Sequence, residues 1–318
     1  MIEFVKANKQ LIAMMLIWVG IGMVLKEIDL VLIPLCFLKL KSLNRYTDIL
    51  IAFTLLVFLA DNRHHALHDF ADNSKDIVLL LLTGLFLFNT KQFTYRSKLF
   101  IPFVAFFIWS FAMIAKSPIP WESFQKTISF SIVLITLPSY FIKELKRNGE
   151  YFLSNLIWFS VFFLVVSLLM IPILPDWVFP GLRYSGLLGN PNGVGTVCTL
   201  LVILIALARF HYPQIFSKEQ IYFMYAVIVL SVILSNSRNA VFSILIFLFF
   251  QRFYKISYLY GFIIVFITAL ASQFISEYFV TTAAARGARV AKATGNAGAA
   301  RRRPPGAVLR EGATRMFA

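Results

Sequence analysis

Residues 151–172 read YFLSNLIWFSVFFLVVSLLMIP, twenty-two consecutive positions without a charged side chain. A helix rises about 1.5 Å per residue, so roughly twenty apolar residues match a hydrocarbon core of about 30 Å. The apolar run is continuous rather than alternating. That pattern fits a helix that satisfies its own backbone in lipid, and not a barrel strand. Similar blocks recur on both sides and give candidate spans at 11–25, 28–38, 48–60, 77–90, 99–115, 127–142, 151–172, 193–210, 219–235, 239–251 and 256–275. The whole chain of 318 residues is 59% hydrophobic and 14% charged, with a mean hydropathy of +0.78. A soluble domain carries about 25% charged residues; this chain has too few to cover its surface with ionised groups. The block at 11–25 is not read as a signal peptide, because no small-residue cleavage site follows it and further apolar blocks do. The expected fold is all-α: a polytopic membrane protein of ten to eleven transmembrane helices.

The basic residues order those spans. With a cytoplasmic N-terminus and every span crossing, the inside segments up to residue 280 hold fifteen Lys and Arg, among them Lys39, Lys41, Arg45, Lys143, Lys146, Arg147 and Arg209. The outside segments hold seven: Lys26, Arg63, Lys75, Lys116, Lys126, Arg183 and Arg238. This bias is the one expected of cytoplasmic loops. Trp121 and Trp177 fall in outer loops and read as interface anchors.

From Thr281 the composition changes. Residues 1–280 hold 33 of the 34 phenylalanines, whereas residues 281–318 contain twelve Ala, no Ile and eight basic residues. Domain organisation is therefore read as 1–280, the helical membrane domain, and 281–318, a basic Ala/Arg/Gly-rich tail. Ala, Gly, Arg and Pro come from GC-rich codons, and Phe, Ile, Lys and Asn from AT-rich ones, so the tail points to replacement of the native C-terminus by frameshift, insertion or fusion. A disordered basic segment that binds anionic lipid is the other reading. Before Thr281 there are 22 basic and 14 acidic residues, a balance of +8 against +15 for the whole chain. Nucleic-acid binding has no support in that distribution. Cys36 and Cys198 both lie in apolar blocks without ligand spacing and read as small core residues. No phosphate-cradling glycine loop is present.

Three polar constellations remain. The first is 181–195, GLRYSGLLGNPNGVG, an outer loop leading into the span at 193–210. Arg183 is a planar, permanently charged fork suited to phosphate or pyrophosphate. Gly186 and Gly189 permit close backbone approach, and Asn190-Pro191-Asn192 forms a turn that also starts a helix. An ordinary connecting loop with an N-cap explains the same residues. The second is Ser235-Asn236-Ser237-Arg238-Asn239, read either as a tight hairpin with Arg238 snorkelling or as a second outward cation at the membrane plane. The third is 61–69, DNRHHALHD, where His65 with Asp69 and His64 with His68 stand four apart. A short helix would present such pairs to a metal; a hydrated loop is the reading preferred, and no metal or other cofactor is expected.

The first two constellations carry a resemblance. Arg183, Ser185, Gly186, Asn190, Pro191 and Asn192, followed by Ser237 and Arg238 at the outer end of another span, resemble the O-antigen ligase/polymerase superfamily. The specific part covers about 60 residues, and the multi-span pattern extends it over roughly 11–275. The resemblance implies a GT-C-like membrane fold in the bacterial inner membrane. It also implies transfer or polymerisation of an undecaprenyl-diphosphate-linked surface glycan on the periplasmic face, with lipid A–core or another glycan as acceptor. No cofactor is implied. The arginines would hold the pyrophosphate leaving group, and a histidine in a large outer loop near the C-terminus would act as general base. This chain departs from the pattern there, since no histidine follows His211. It is therefore expected to be inactive or impaired. A transporter or flippase of lipid-linked glycan, which would call for an internal repeat and charged or broken mid-span segments, and a non-catalytic membrane scaffold are the alternatives.

Overall fold

The computed structural model describes residues 1–62, 65–88 and 101–253, with the single positions 263 and 267. Every regular element among them is helical: α1 (Ile2–Ala7), α2 (Lys9–Val24), α3 (Lys26–Ser42), α4 (Tyr46–Ala60), α5 (His65–Phe88), α6 (Ile101–Ile114), α7 (Pro120–Leu169), α8 (Pro175–Val178), α9 (Pro191–His211), α10 (Lys218–Ser235) and α11 (Arg238–Phe253). A 3₁₀ turn, Gly186–Leu188, lies between α8 and α9. The chain divides into a unit Met1–Ile246 and a second, Phe247–Ala318. The helical bundle and both of its polar ends belong to the first unit.

Among the described residues, three helices are long and apolar enough to cross a membrane: α7, α9 and α10. α2, α4 and Phe103–Ile114 of α6 are shorter apolar helices. Ten of the eleven expected spans fall on described helices. The eleventh, 256–275, lies outside the described residues, as does the tail 281–318. Spans 127–142 and 151–172 both fall in α7, which is two helices joined at a kink where Asn148 leaves helical geometry (φ −145°, ψ 50°). Lys143–Arg147 are good helix formers and carry the first of these helices up to the kink. Beside Asn148, Gly149 leaves its side-chain space to the Tyr212 hydroxyl. One expectation is corrected: the polar stretch ahead of span 77–90, read as a hydrated loop, is helical from His65, where α5 begins.

α4 is apolar almost all round and sits at the centre, as such a helix must. Ile49, Leu50, Ile51, Ala52 and Leu56 are each at most 1% exposed, and α2, α3, α5 and α7 pack around them. Many large apolar side chains face outward, including Ile108 and Trp109 of α6 at 66% and 67% exposure. Such a surface calls for lipid rather than water.

α4 also separates two polar ends by about 22 Å, the rise of fifteen helical residues. At its N-terminal end Arg45 pairs with Asp48. Thr47 Oγ1 donates to Glu144 Oε1 (2.7 Å), and Arg147 Nη1 donates to the Asn44 carbonyl (2.9 Å). At its C-terminal end Asn62 Nδ2 donates to the Leu187 carbonyl (2.6 Å), in the 3₁₀ turn.

Candidate functional site

The loop 179–190 is built on short-range geometry. Gly186 (φ +56°) and Gly189 (φ +66°) both lie in the left-handed region that favours glycine. Ser185 is fully buried, and both its backbone N (2.8 Å) and its Oγ (3.2 Å) donate to the Val178 carbonyl. The Leu187 N–H donates to Ser167 Oγ of α7 (3.2 Å). Tyr184 is wholly buried as well, and desolvation pushes its phenol well above the usual range, so the hydroxyl stays protonated. Asn190 caps α9: its Oδ1 accepts from the Asn192 N–H (3.0 Å), and Pro191 occupies the first helical position.

Arg183 joins this loop to the second motif. Its Nε donates to the Ser235 carbonyl (2.9 Å) and its Nη2 to the Asn236 carbonyl (3.0 Å), with Asn192 Oδ1 at 3.5 Å from Nη2. These carbonyls end α10, where a helix has unpartnered acceptors and a partial negative charge. Asn236 turns the chain in the left-handed region (φ 49°) and α11 begins at Arg238. Where α9 passes the start of α11, Gly195 has no side chain to hold them apart. A Cβ there would fall 2.8 Å from the Ala240 Cβ and collide with Ser237.

The result is an open groove of about 380 Å³ lined by Arg183, Asn192, Asn236, Arg238 and Asn239. A second cleft of about 220 Å³ shares Asn192 and Asn239 with it, and adds Thr196, Thr199, Ser237 and Ser243. Two cations and three amide side chains thus line one groove, and the hydroxyls line the adjoining cleft. The arrangement suits a multi-oxygen anion.

No protein-family model matches the chain, and no curated protein or solved structure does.

Of the residues singled out from sequence, the structure brings Arg183, Arg238 and Asn192 to the groove and Ser237 to the adjoining cleft. Ser185 and Gly186 are turned into the fold, and Asn190 and Pro191 shape the helix start. Asn236 and Asn239 enter the lining beyond that set; both stand in the Ser235–Asn239 pentad but carry no charge to single them out. Of the histidine constellation, Arg63 and His64 lie outside the described residues. His68 Nδ1 sits 2.6 Å from the Ala60 carbonyl. A carbonyl only accepts, so Nδ1 carries the hydrogen. Among the described residues no group of three or more His, Cys, Asp or Glu side chains stands ready for a metal ion.

Proposed function

We propose that the groove binds the diphosphate of a polyprenyl-diphosphate-linked glycan, and that the chain serves transfer or polymerisation of surface polysaccharide as a GT-C-like, O-antigen-ligase/polymerase-type protein. The bilayer is the bacterial inner membrane, with the N-terminus in the cytoplasm and the groove on the periplasmic side. The observation that carries the reading is that Arg183 and Arg238, distant in sequence, line one groove at one end of the bundle. The opposite end holds Arg45, Lys143 and Arg147, so the positions of the basic residues agree with the proposed orientation.

In such a transfer an acceptor hydroxyl oxygen, on lipid A–core or a growing glycan, bonds to the anomeric carbon. The bond to the diphosphate oxygen breaks and the carrier leaves with its electron pair. Arg238 stabilises the charge that builds on that oxygen. The hydroxyl proton needs a base, and no described residue lining the groove is a carboxylate or an imidazole. Leaving-group binding is accordingly the part of the reaction assigned to these residues, and transfer by the chain as it stands is impaired.

The test is retention of a polyprenyl diphosphate by the purified protein, compared with the corresponding polyprenol. Arg238→Ala is expected to weaken diphosphate retention tenfold to a hundredfold, from about 1.5–3 kcal/mol per hydrogen bond to a charged group, and to leave polyprenol retention unchanged. Equal retention by both proteins sinks the assignment. Complementation of a strain lacking polysaccharide ligation tests the reaction separately.

A further inference from the structure

We propose that a cleft between α2 and α3, at the far end of the bundle from the arginine groove, binds an anionic phospholipid of the surrounding bilayer, with Lys39 and Arg45 on its phosphate. The cleft measures about 330 Å³ and has two chemically different parts. Leu11, Met14, Cys36, Leu40 and Leu43 form an apolar wall, while Gln10, Lys39 and Arg45 form a polar rim. Leu11 and Leu40 are buried, whereas Lys39 and Gln10 are exposed.

The two cations are differently prepared. Asp48 holds Arg45 through Nε, which fixes the guanidinium and leaves its terminal amino groups for a second anion. Lys39, on the last turn of α3, forms no ion pair with any described residue. Lys9 and Lys41 add positive charge close by in the chain. A free phosphate would use the cations and leave the wall empty; a neutral lipid would use the wall and leave the cations unmatched. A lipid with an anionic headgroup uses both. Beyond the cleft α2 and α3 remain apolar and exposed, at Leu16, Ile17, Val31 and Leu35, so an acyl chain has a surface to follow. None of this depends on the diphosphate reading of the other end.

Cysteine reports on the cleft directly. Cys36 is half-buried in its wall, and Cys198, the other cysteine of the chain, is fully buried. N-ethylmaleimide, an uncharged reagent, therefore reads Cys36 in the intact protein. In nanodiscs of phosphatidylglycerol, alkylation is expected about fivefold slower than in phosphatidylcholine, the scale of one cation–lipid interaction. Lys39→Ala should abolish most of that difference. Lys218→Ala, which removes a cation at the same end of the bundle but outside the cleft, should preserve it. Equal rates in the two lipids overturn the proposal, and so does a difference that survives Lys39→Ala. Equal protection by inorganic phosphate alone, in neutral detergent, would make the cleft a soluble-anion site and overturn the lipid assignment too.

Discussion

The two polar ends of the bundle hold similar chemistry and use it differently. Around the start of α4 the side chains engage one another: Arg45 with Asp48, Thr47 with Glu144, and Asn8 Nδ2 with Asn155 Oδ1 at 2.8 Å. Lys143 lies 4.1 Å from the centre of the Tyr46 ring. Around the start of α11 Arg183 is engaged with the Ser235 and Asn236 carbonyls and with Asn192 Oδ1, while Arg238 and Asn239 line the open groove. A ligand site is marked by hydrogen-bonding capacity left over after folding, and not by the number of charges gathered in one place. Internal pairs hold helices together. Unused donors wait for something else.

The largest effect is expected at Gly195. Gly195→Leu should force α9 away from Ser237 and Ala240, lower stability by about 3 kcal/mol and abolish diphosphate retention, as read by thermal melts in mild detergent and by polyprenyl-diphosphate binding. Arg183→Ala should cost about 2 kcal/mol, through two charge-assisted bonds, and weaken binding as well. Arg183→Lys should recover little of either, since a point ammonium cannot reproduce a fork across two carbonyls. At the opposite end Thr47→Val should cost about 1–2 kcal/mol by leaving a buried Glu144 oxygen without its donor, with binding unchanged. The smallest effect belongs to the exposed pair Lys126–Glu122, 3.9 Å apart: Lys126→Ala should change the melt by less than about 0.5 kcal/mol. Loss of diphosphate retention in the Thr47 variant would show the two ends to be coupled and dissolve the contrast.

Much of the helical layout was legible in the sequence because burial in lipid leaves a signal as long as the span. The blocks at 11–25, 48–60 and 193–210 match α2, α4 and α9 within a few residues. Polar helix was less legible. His65–Lys75 carries charges at positions where a loop is the simplest reading, yet α5 runs through it, and the short polar stretch between spans 127–142 and 151–172 is a kink at Asn148. The site was legible as to which segments compose it, since Arg183 and Arg238 stand out in apolar surroundings. Its inner bonding was not, because the partners of Arg183 are carbonyl oxygens, which every residue possesses. Asn239 was hidden for a related reason: its role comes from standing at the first turn of a helix whose start is fixed elsewhere.

Carbonyl partners also shape how these segments can change over generations. Because Arg183 grips the main chain at 235 and 236, the grip itself does not depend on which side chains stand there, so long as position 236 tolerates a left-handed turn. Substitutions at 183 would then find no compensating partner in the other motif. A method that infers proximity from correlated substitutions would miss the strongest tie between the two segments, although they lie side by side.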